Sequence, residues 1–271
     1  MRQRAARAVP GFPLTLAMTL VWLTGIVLIP MTALALRPWS LGLSGVLHSL
    51  AEPRVLAALR LSFGTAIASA VIDLPLGLLL AWVLVRYRFP GRRLLDGLID
   101  LPFAFPTAVG GITFTALYAS TGWLGAPLAA IGISIAYTPL GILVALCFVG
   151  LPFIVRTAEA VLRDLPGEVE EAAATLGARP AQIVARVVLP ALFPALVTGF
   201  GLAFARAVGE YGSVIFIAGN MPMRTEIAPL MIVIRLQQFD YAGAAAIGLA
   251  MLLVSLLCLA GIAALRRRLE L

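Results

Sequence analysis

Six long apolar runs, separated by short polar or arginine-bearing loops, dominate the pattern along this chain: residues 14–36, 55–85, 101–120, 134–155, 191–219 and 242–265. A helix rising about 1.5 Å per residue needs about 20 apolar residues to cross a hydrocarbon core of about 30 Å. Each run reaches that length, so the pattern predicts six membrane-spanning helices and an all-α chain. The first run follows Arg2, Arg4 and Arg7; it is too long for a signal-peptide core and no small-residue cleavage site closes it, which marks it as a retained span. The second exceeds what a bilayer requires, so its ends project or tilt; Arg60 sits near its outer end, where it can snorkel. The third is interrupted by Pro102, Pro106 and Gly110-Gly111, a composition that frees backbone groups and tolerates close packing.

The long polar interruption, residues 156–190, follows the fourth run. Pro166 suits the first turn of a helix, and Glu168, Glu170 and Glu171 follow where the helix dipole favours negative charge. Val169, Ala172, Ala173 and Leu176 fall at i, i+3, i+4 and i+7 and make one small apolar face. Gly177 reads as a left-handed C-cap, and Pro180 starts a second short helix with Ile183, Val184, Val187 and Val188 on one side, ending at Pro190. The product expected is a bent helix pair with a shallow apolar ridge.

Composition sharpens this picture. The chain is 61% hydrophobic and 12% charged, with a mean hydropathy of +1.02; soluble domains carry roughly 25% charged residues. It is an integral membrane protein. All 20 basic residues are arginine, which removes the lysine that a P-loop or a Schiff base requires. Any ATP must therefore be hydrolysed by another chain. The net charge of +7 does not indicate nucleic-acid binding, because the arginines flank hydrophobic spans. Three lie at the N-terminus, four after span two (Arg86, Arg88, Arg92, Arg93), four between Arg156 and Arg186 and three at Arg266, Arg267 and Arg268; the opposite loops hold Arg37, Arg54, Arg224 and Arg235. Six spans with both termini cytoplasmic satisfy the positive-inside rule. Asp96 and Asp100 are expected to pair with the arginines of the loop after span two.

Candidate chemistry is sparse. Cys147 and Cys258 lie in apolar runs without a partner spacing, His48 is the single histidine, and no HExxH, Ser–Lys set or acid cluster appears, so neither a catalytic nor a metal site is expected. Asp73 lies deep in span two, where an acid normally faces other helices or a wet cavity. Arg206 and Glu210, four residues apart in span five, can pair. On an exposed helix such a pair contributes about 0.2–0.5 kcal/mol, whereas an unpaired charge in a membrane costs at least about 2.5–3.5 kcal/mol. The pair either fixes helix packing or also borders an anion path. An ion-coupled symporter would favour internal repeats and several acids near the midplane, for which Asp73 alone is thin support.

Two motifs carry a family resemblance. Glu171-Ala172-Ala173, three residues, Gly177, nine residues, Val187, one residue and Leu189-Pro190 resembles the EAA loop of ABC importer permeases, which usually have isoleucine where Val187 stands. FARAVGEYGSVIFIAGN over 204–220, then Thr225-Glu226, Leu230-Met231 and RLQQFDY over 235–241, is similar to the T component of bacterial sulfate/thiosulfate ABC permeases. Molybdate permeases share the GE[FY]G core and the AGN end but lack the RLQQFDY-like segment, which leaves a molybdate/tungstate permease as the alternative. The resemblance implies a single-domain type I ABC importer permease over 1–271, with 156–190 as the cytoplasmic coupling region. It implies that Glu171, Ala172, Ala173, Leu176 and Gly177 dock on an ATPase subunit. It further implies a bacterial inner-membrane location, a second permease of W type, two ATPase copies that bind ATP and Mg, a periplasmic sulfate/thiosulfate-binding protein, and no cofactor in this chain. Residues 221–241 would then lie outside, with 227–236 as a gate helix facing the binding protein or as a short interfacial helix.

Overall fold

The computed structural model describes residues 11–269, so Arg2, Arg4 and Arg7 lie outside the described residues. The described chain is helical throughout: α1 (Phe12–Ala51), α2 (Pro53–Arg86), α3 (Arg92–Ile99), α4 (Leu101–Ala104), α5 (Thr107–Tyr118), α6 (Gly125–Ala130), α7 (Pro139–Asp164), α8 (Gly167–Thr175), α9 (Pro180–Val208), α10 (Gly212–Ile217), α11 (Ala228–Gln237) and α12 (Tyr241–Leu269). Among the described residues α1, α2, α7, α9 and α12 are long and apolar enough to cross a membrane. They carry five of the six runs read from the sequence.

The third run takes a different form. Pro102 sits in the single turn α4, Phe105 turns to extended backbone, and Pro106 cannot donate into a continuing helix. What remains is the 12-residue α5, about 18 Å long at 1.5 Å per residue, too short to cross alone. The fifth run is also not one helix over 191–219. It begins earlier, at Pro180, ends at Val208, and resumes as α10 after a break at residues 209–211. Nor does Pro190 end a second short helix. Residues Val184–Val188 form a π turn in which the Leu189 N–H reaches back to the Val184 carbonyl, and this wider turn carries the chain past the missing donor of Pro190. Thr24–Leu28 repeats the device ahead of Pro30. Because α7 runs on to Asp164 and α9 starts at Pro180, the excursion expected over 156–190 shrinks to residues 165–179.

The centre is a three-helix contact of α2, α7 and α9. α2 and α7 run parallel, with Asp73 against Gly150 and Gly77 against Ile154; α9 runs antiparallel to both, with Gly199 on Ile154 and Ala203 on Gly150. Buried residues include Ala66, Ala70, Ala81, Ala145, Ile154, Ala203 and Phe204. Lipid gives helices no hydrophobic reason to associate, so close approach through small residues supplies the packing. α1 behaves otherwise: none of its residues from Phe12 to Leu36 is buried, and it meets α12 at its later part, where Leu34 lies against Gly248.

At the end of the bundle where α2 starts, the 221–241 segment folds back on its own chain. α11 buries Ala228, Leu230 and Met231, and the Ala228 N–H donates to Ser62 Oγ at 2.8 Å. Arg54, at the start of α2, donates from Nε to Glu226 Oε2 (2.7 Å) and from Nη2 to Glu226 Oε1 (2.5 Å). Arg235 contacts both Glu52 and Asp240, and Asp240 accepts from the Gly243 N–H at the start of α12. Glu226 is almost fully buried whereas Arg54 is partly open. Arg54→Ala therefore strands a buried carboxylate and is expected to cost roughly 2 kcal/mol. Thermal unfolding of the purified protein checks this, with Glu226→Gln on the Arg54→Ala background expected to restore part of the loss.

Candidate functional site

Residues 165–179 are built from local signals. Pro166 precedes α8 at its N-cap, one residue outside the helix, so the first turn holds Glu168 and Glu170. The C-terminus closes with the Ala178 N–H on the Ala173 carbonyl (3.1 Å) and the Gly177 N–H on the Ala174 carbonyl (2.9 Å), a Schellman pair with Gly177 at φ +85°. Arg179 then caps the next helix, its N–H donating to Gln182 Oε1. This places Glu171, Ala172 and Leu176 in the open; Leu176 is 89% exposed, an unusual position for a leucine facing water. The apolar side carrying Val184 and Val188 faces Trp82 and Leu78 of α2 instead. The small, open face of α8 is available for a partner.

Two arginines hold this end together. Arg86, the last residue of α2, donates from Nε (2.9 Å) and Nη2 (2.6 Å) to Glu170 Oε1 and from Nη2 to the Leu165 carbonyl (3.0 Å). Arg156 grips Asp100 with two bonds of 3.0 and 2.6 Å, Asp96 Oδ1 at 2.6 Å, the Asp96 carbonyl at 3.1 Å and Glu159 at 2.6 Å. Glu159 also meets Arg163. Asp96 and Asp100 thus pair with Arg156 of α7, not with the neighbouring Arg run as expected, since a planar five-donor guanidinium can serve both acids. Partners 56 to 84 residues apart leave no local signal in a sequence.

The other cluster lies at the break in the fifth run. Ala203 is level with Gly150 and Ile217 with Gly141, so the break at 209–211 falls within the crossing part of α7. Glu210 Oε1 accepts from the Ser213 N–H and Ser213 Oγ, both at 2.9 Å, and Oε2 receives Arg206 Nη1 at 2.5 Å. Glu210 is buried while the Arg206 side chain is 35% exposed. α10 packs on α5 so closely that a Cβ on Gly111 would lie 2.4 Å from the Ser213 carbonyl oxygen. The two interrupted runs therefore meet beside the ion pair. Asp73 stands apart: it is buried against Gly150, with Cys147 alongside, and neither of its oxygens has a hydrogen-bond partner among the described residues. The spacing of Arg206 and Glu210 was legible in the sequence. The capping of α10 by Glu210 has a weaker signal there, Gly209 and Gly212 on either side of the acid.

Residues 73–271 match the family described as the binding-protein-dependent transport system inner membrane component. The chain belongs to that family. This permease is 47% identical over 97% of its length to the sulfate transport system permease protein CysT of Escherichia coli (strain K12), covering 95% of that protein. It is 47% identical to the protein of the same name from Synechococcus elongatus, over 92% of this chain and 89% of that one. In fold it is similar to a chain of a bacterial alginate ABC transporter in complex with its alginate pentasaccharide-bound periplasmic protein, with a TM-score of 0.78, 19% identity and coverage of 95% and 94%. A chain of the inward-facing MetNI methionine ABC transporter matches with a TM-score of 0.59, 20% identity and coverage of 79% and 94%. The architecture is that of ABC importer permeases.

Two predictions test the permease's sites. No atom would obstruct a Cβ on Gly177, so its sensitivity is a matter of backbone: Gly177→Val places a branched residue in the left-handed region at a cost of about 1–2 kcal/mol. The variant is expected to insert normally, by membrane fractionation, while uptake by the reconstituted transporter falls steeply. For the ion pair, Arg206→Met and Glu210→Gln are each expected to lower folded yield by more than the double replacement Arg206→Met/Glu210→Gln, because each single change strands a charge. Size-exclusion yields in detergent of the three variants decide it, and additive losses would assign the two residues separate roles.

Proposed function

We propose that this chain is the membrane-spanning translocation subunit of an ATP-driven sulfate/thiosulfate importer of the bacterial inner membrane, with both termini cytoplasmic. The observation that carries the reading is the near full-length similarity to permeases named for sulfate transport, joined to an open, glycine-capped α8 with the EAA spacing. The same relatives favour sulfate over molybdate or tungstate, and family membership sets aside the ion-coupled secondary carrier.

In this reading ATP and Mg are held by two copies of an ATPase subunit, and Glu171, Ala172, Ala173, Leu176 and Gly177 form the surface that docks there. A W-type second permease completes the pathway. A periplasmic sulfate/thiosulfate-binding protein delivers the anion to the side where α11 lies. This chain performs no covalent chemistry. Arg206 borders the path with its charge already countered by Glu210, which lowers the barrier to a dianion without replacing its hydration shell. Weak binding of that kind allows release on the far side.

The test is reconstitution of the permease pair with its ATPase in proteoliposomes. Sulfate accumulation is expected to require both ATP and the binding protein, and calorimetry of the permease–ATPase complex alone is expected to give no micromolar sulfate binding. Micromolar binding abolished by Arg206→Ala would make Arg206 a substrate ligand and overturn the weak-path account.

A further inference from the structure

α2 carries an arginine bound to a separate segment at each of its ends. At one, Arg54 holds Glu226, two residues before α11. At the other, Arg86 holds Glu170 of α8 and the Leu165 carbonyl where α7 ends. Between them run 34 helical residues, about 51 Å at 1.5 Å per residue. Pro75 removes one backbone bond inside this helix, yet the helix continues, braced on both sides of the proline by Asp73 on Gly150 and Gly77 on Ile154. The Arg86 guanidinium is held further by the Trp82 ring, 5.9 Å from its Cζ one turn back. Its own side chain and that of Glu170 are each 20% exposed, so the contact is sheltered from competing water.

From this geometry we propose that Arg86 is a positioning residue for transport. It latches α8 to α2, so that displacement of α8 by the ATPase moves α2 as a strut and shifts the Arg54–Glu226 contact at the opposite end. The proposal rests on the importer reading above. α8 also packs on the first turns of α9, and the Arg86 bonds are its side-chain hydrogen bonds to α2 among the described residues. A guanidinium bonded at once to α8 and to the end of α7 couples these three elements in a way that a single lysine charge cannot.

The experiment uses the whole importer complex in proteoliposomes and reads anion transported per ATP hydrolysed, the stimulation of ATPase by the binding protein, and retention of the ATPase subunit on purification. Arg86→Gln and Glu170→Gln are each expected to lower transport per ATP about tenfold while the ATPase stays bound. The double Arg86→Gln/Glu170→Gln is expected to be no worse than either alone, and the exchanged pair Arg86→Glu/Glu170→Arg to recover part of the ratio, because it restores the α2–α8 ion pair but not the bond to the Leu165 carbonyl. Single variants that keep the wild-type ratio, or a double variant whose loss is the product of the two, would overturn the latch. If Arg86→Gln fails to assemble, the exchanged pair decides: assembly restored without restored transport per ATP makes the contact merely structural and also overturns the proposal. A wild-type complex that responds to ATP but carries an anion other than sulfate refutes the substrate reading alone, and the same ratio is then measured with that anion.

Discussion

In hydrocarbon an unpaired charge and an unpaired backbone group are both costly, and the break at residues 209–211 brings the two together at one point of this structure. Starting α10 at Gly212 exposes N–H groups that have no preceding helical carbonyl to accept them. Glu210 answers both demands. One carboxylate oxygen accepts from the Ser213 backbone and hydroxyl, and the other meets the Arg206 guanidinium one turn earlier. The break and the ion pair are thus mutually dependent: without the break Glu210 has no N–H to cap, and without Arg206 the cap is a buried negative charge. The close seat of Ser213 on Gly111 then fixes α5 against α10, so the two interrupted runs form one unit within the bundle.

Charge is used differently at the two ends of the helices. Arg156 gathers α3 and α7 through Asp96, Asp100 and Glu159, and these acids are 6% to 47% exposed, so most of the cluster is wet and each bond contributes modestly. Its value lies in number and geometry, since one guanidinium satisfies three carboxylates and a carbonyl. At the other end Glu226 is nearly buried, and the Arg54 fork is the partner that makes this tolerable.

How far the sequence foretold this depends on the range of the interaction. The long helices α2 and α12, the left-handed Gly177 and the Arg206–Glu210 spacing follow from residues within one or two turns of each other, and each is where the pattern puts it, whereas α7 starts at Pro139 and runs past Val155 to Asp164. The third and fifth runs misled because hydropathy counts apolar residues and is blind to backbone donors. Pro106 and the 209–211 segment interrupt the hydrogen-bond ladder without making the sequence polar. Pro190 misled in the opposite sense, since a π turn absorbs it. The pairing of Asp96 and Asp100 with Arg156 depends on the parallel packing of α2 with α7, which no local pattern encodes.

The distribution of packing also separates what can move from what cannot. α2, α7 and α9 interlock through residues too small to shift independently, with Gly150 meeting Asp73 and Ala203 on its two sides. A densely packed trio of this kind moves as one body. α8 is the reverse case: its Leu176 and Glu171 face outward, its two ends are set by Pro166 and Gly177, and it meets the trio at the first turns of α9 and at Arg86. An element that is locally rigid yet tied to the core at few points is suited to receive a displacement from outside and pass it on whole. The sequence economy of this arrangement is visible in residues 165–179, where a proline, a glycine and one acid, Glu170, determine the start, the end and the attachment of the helix.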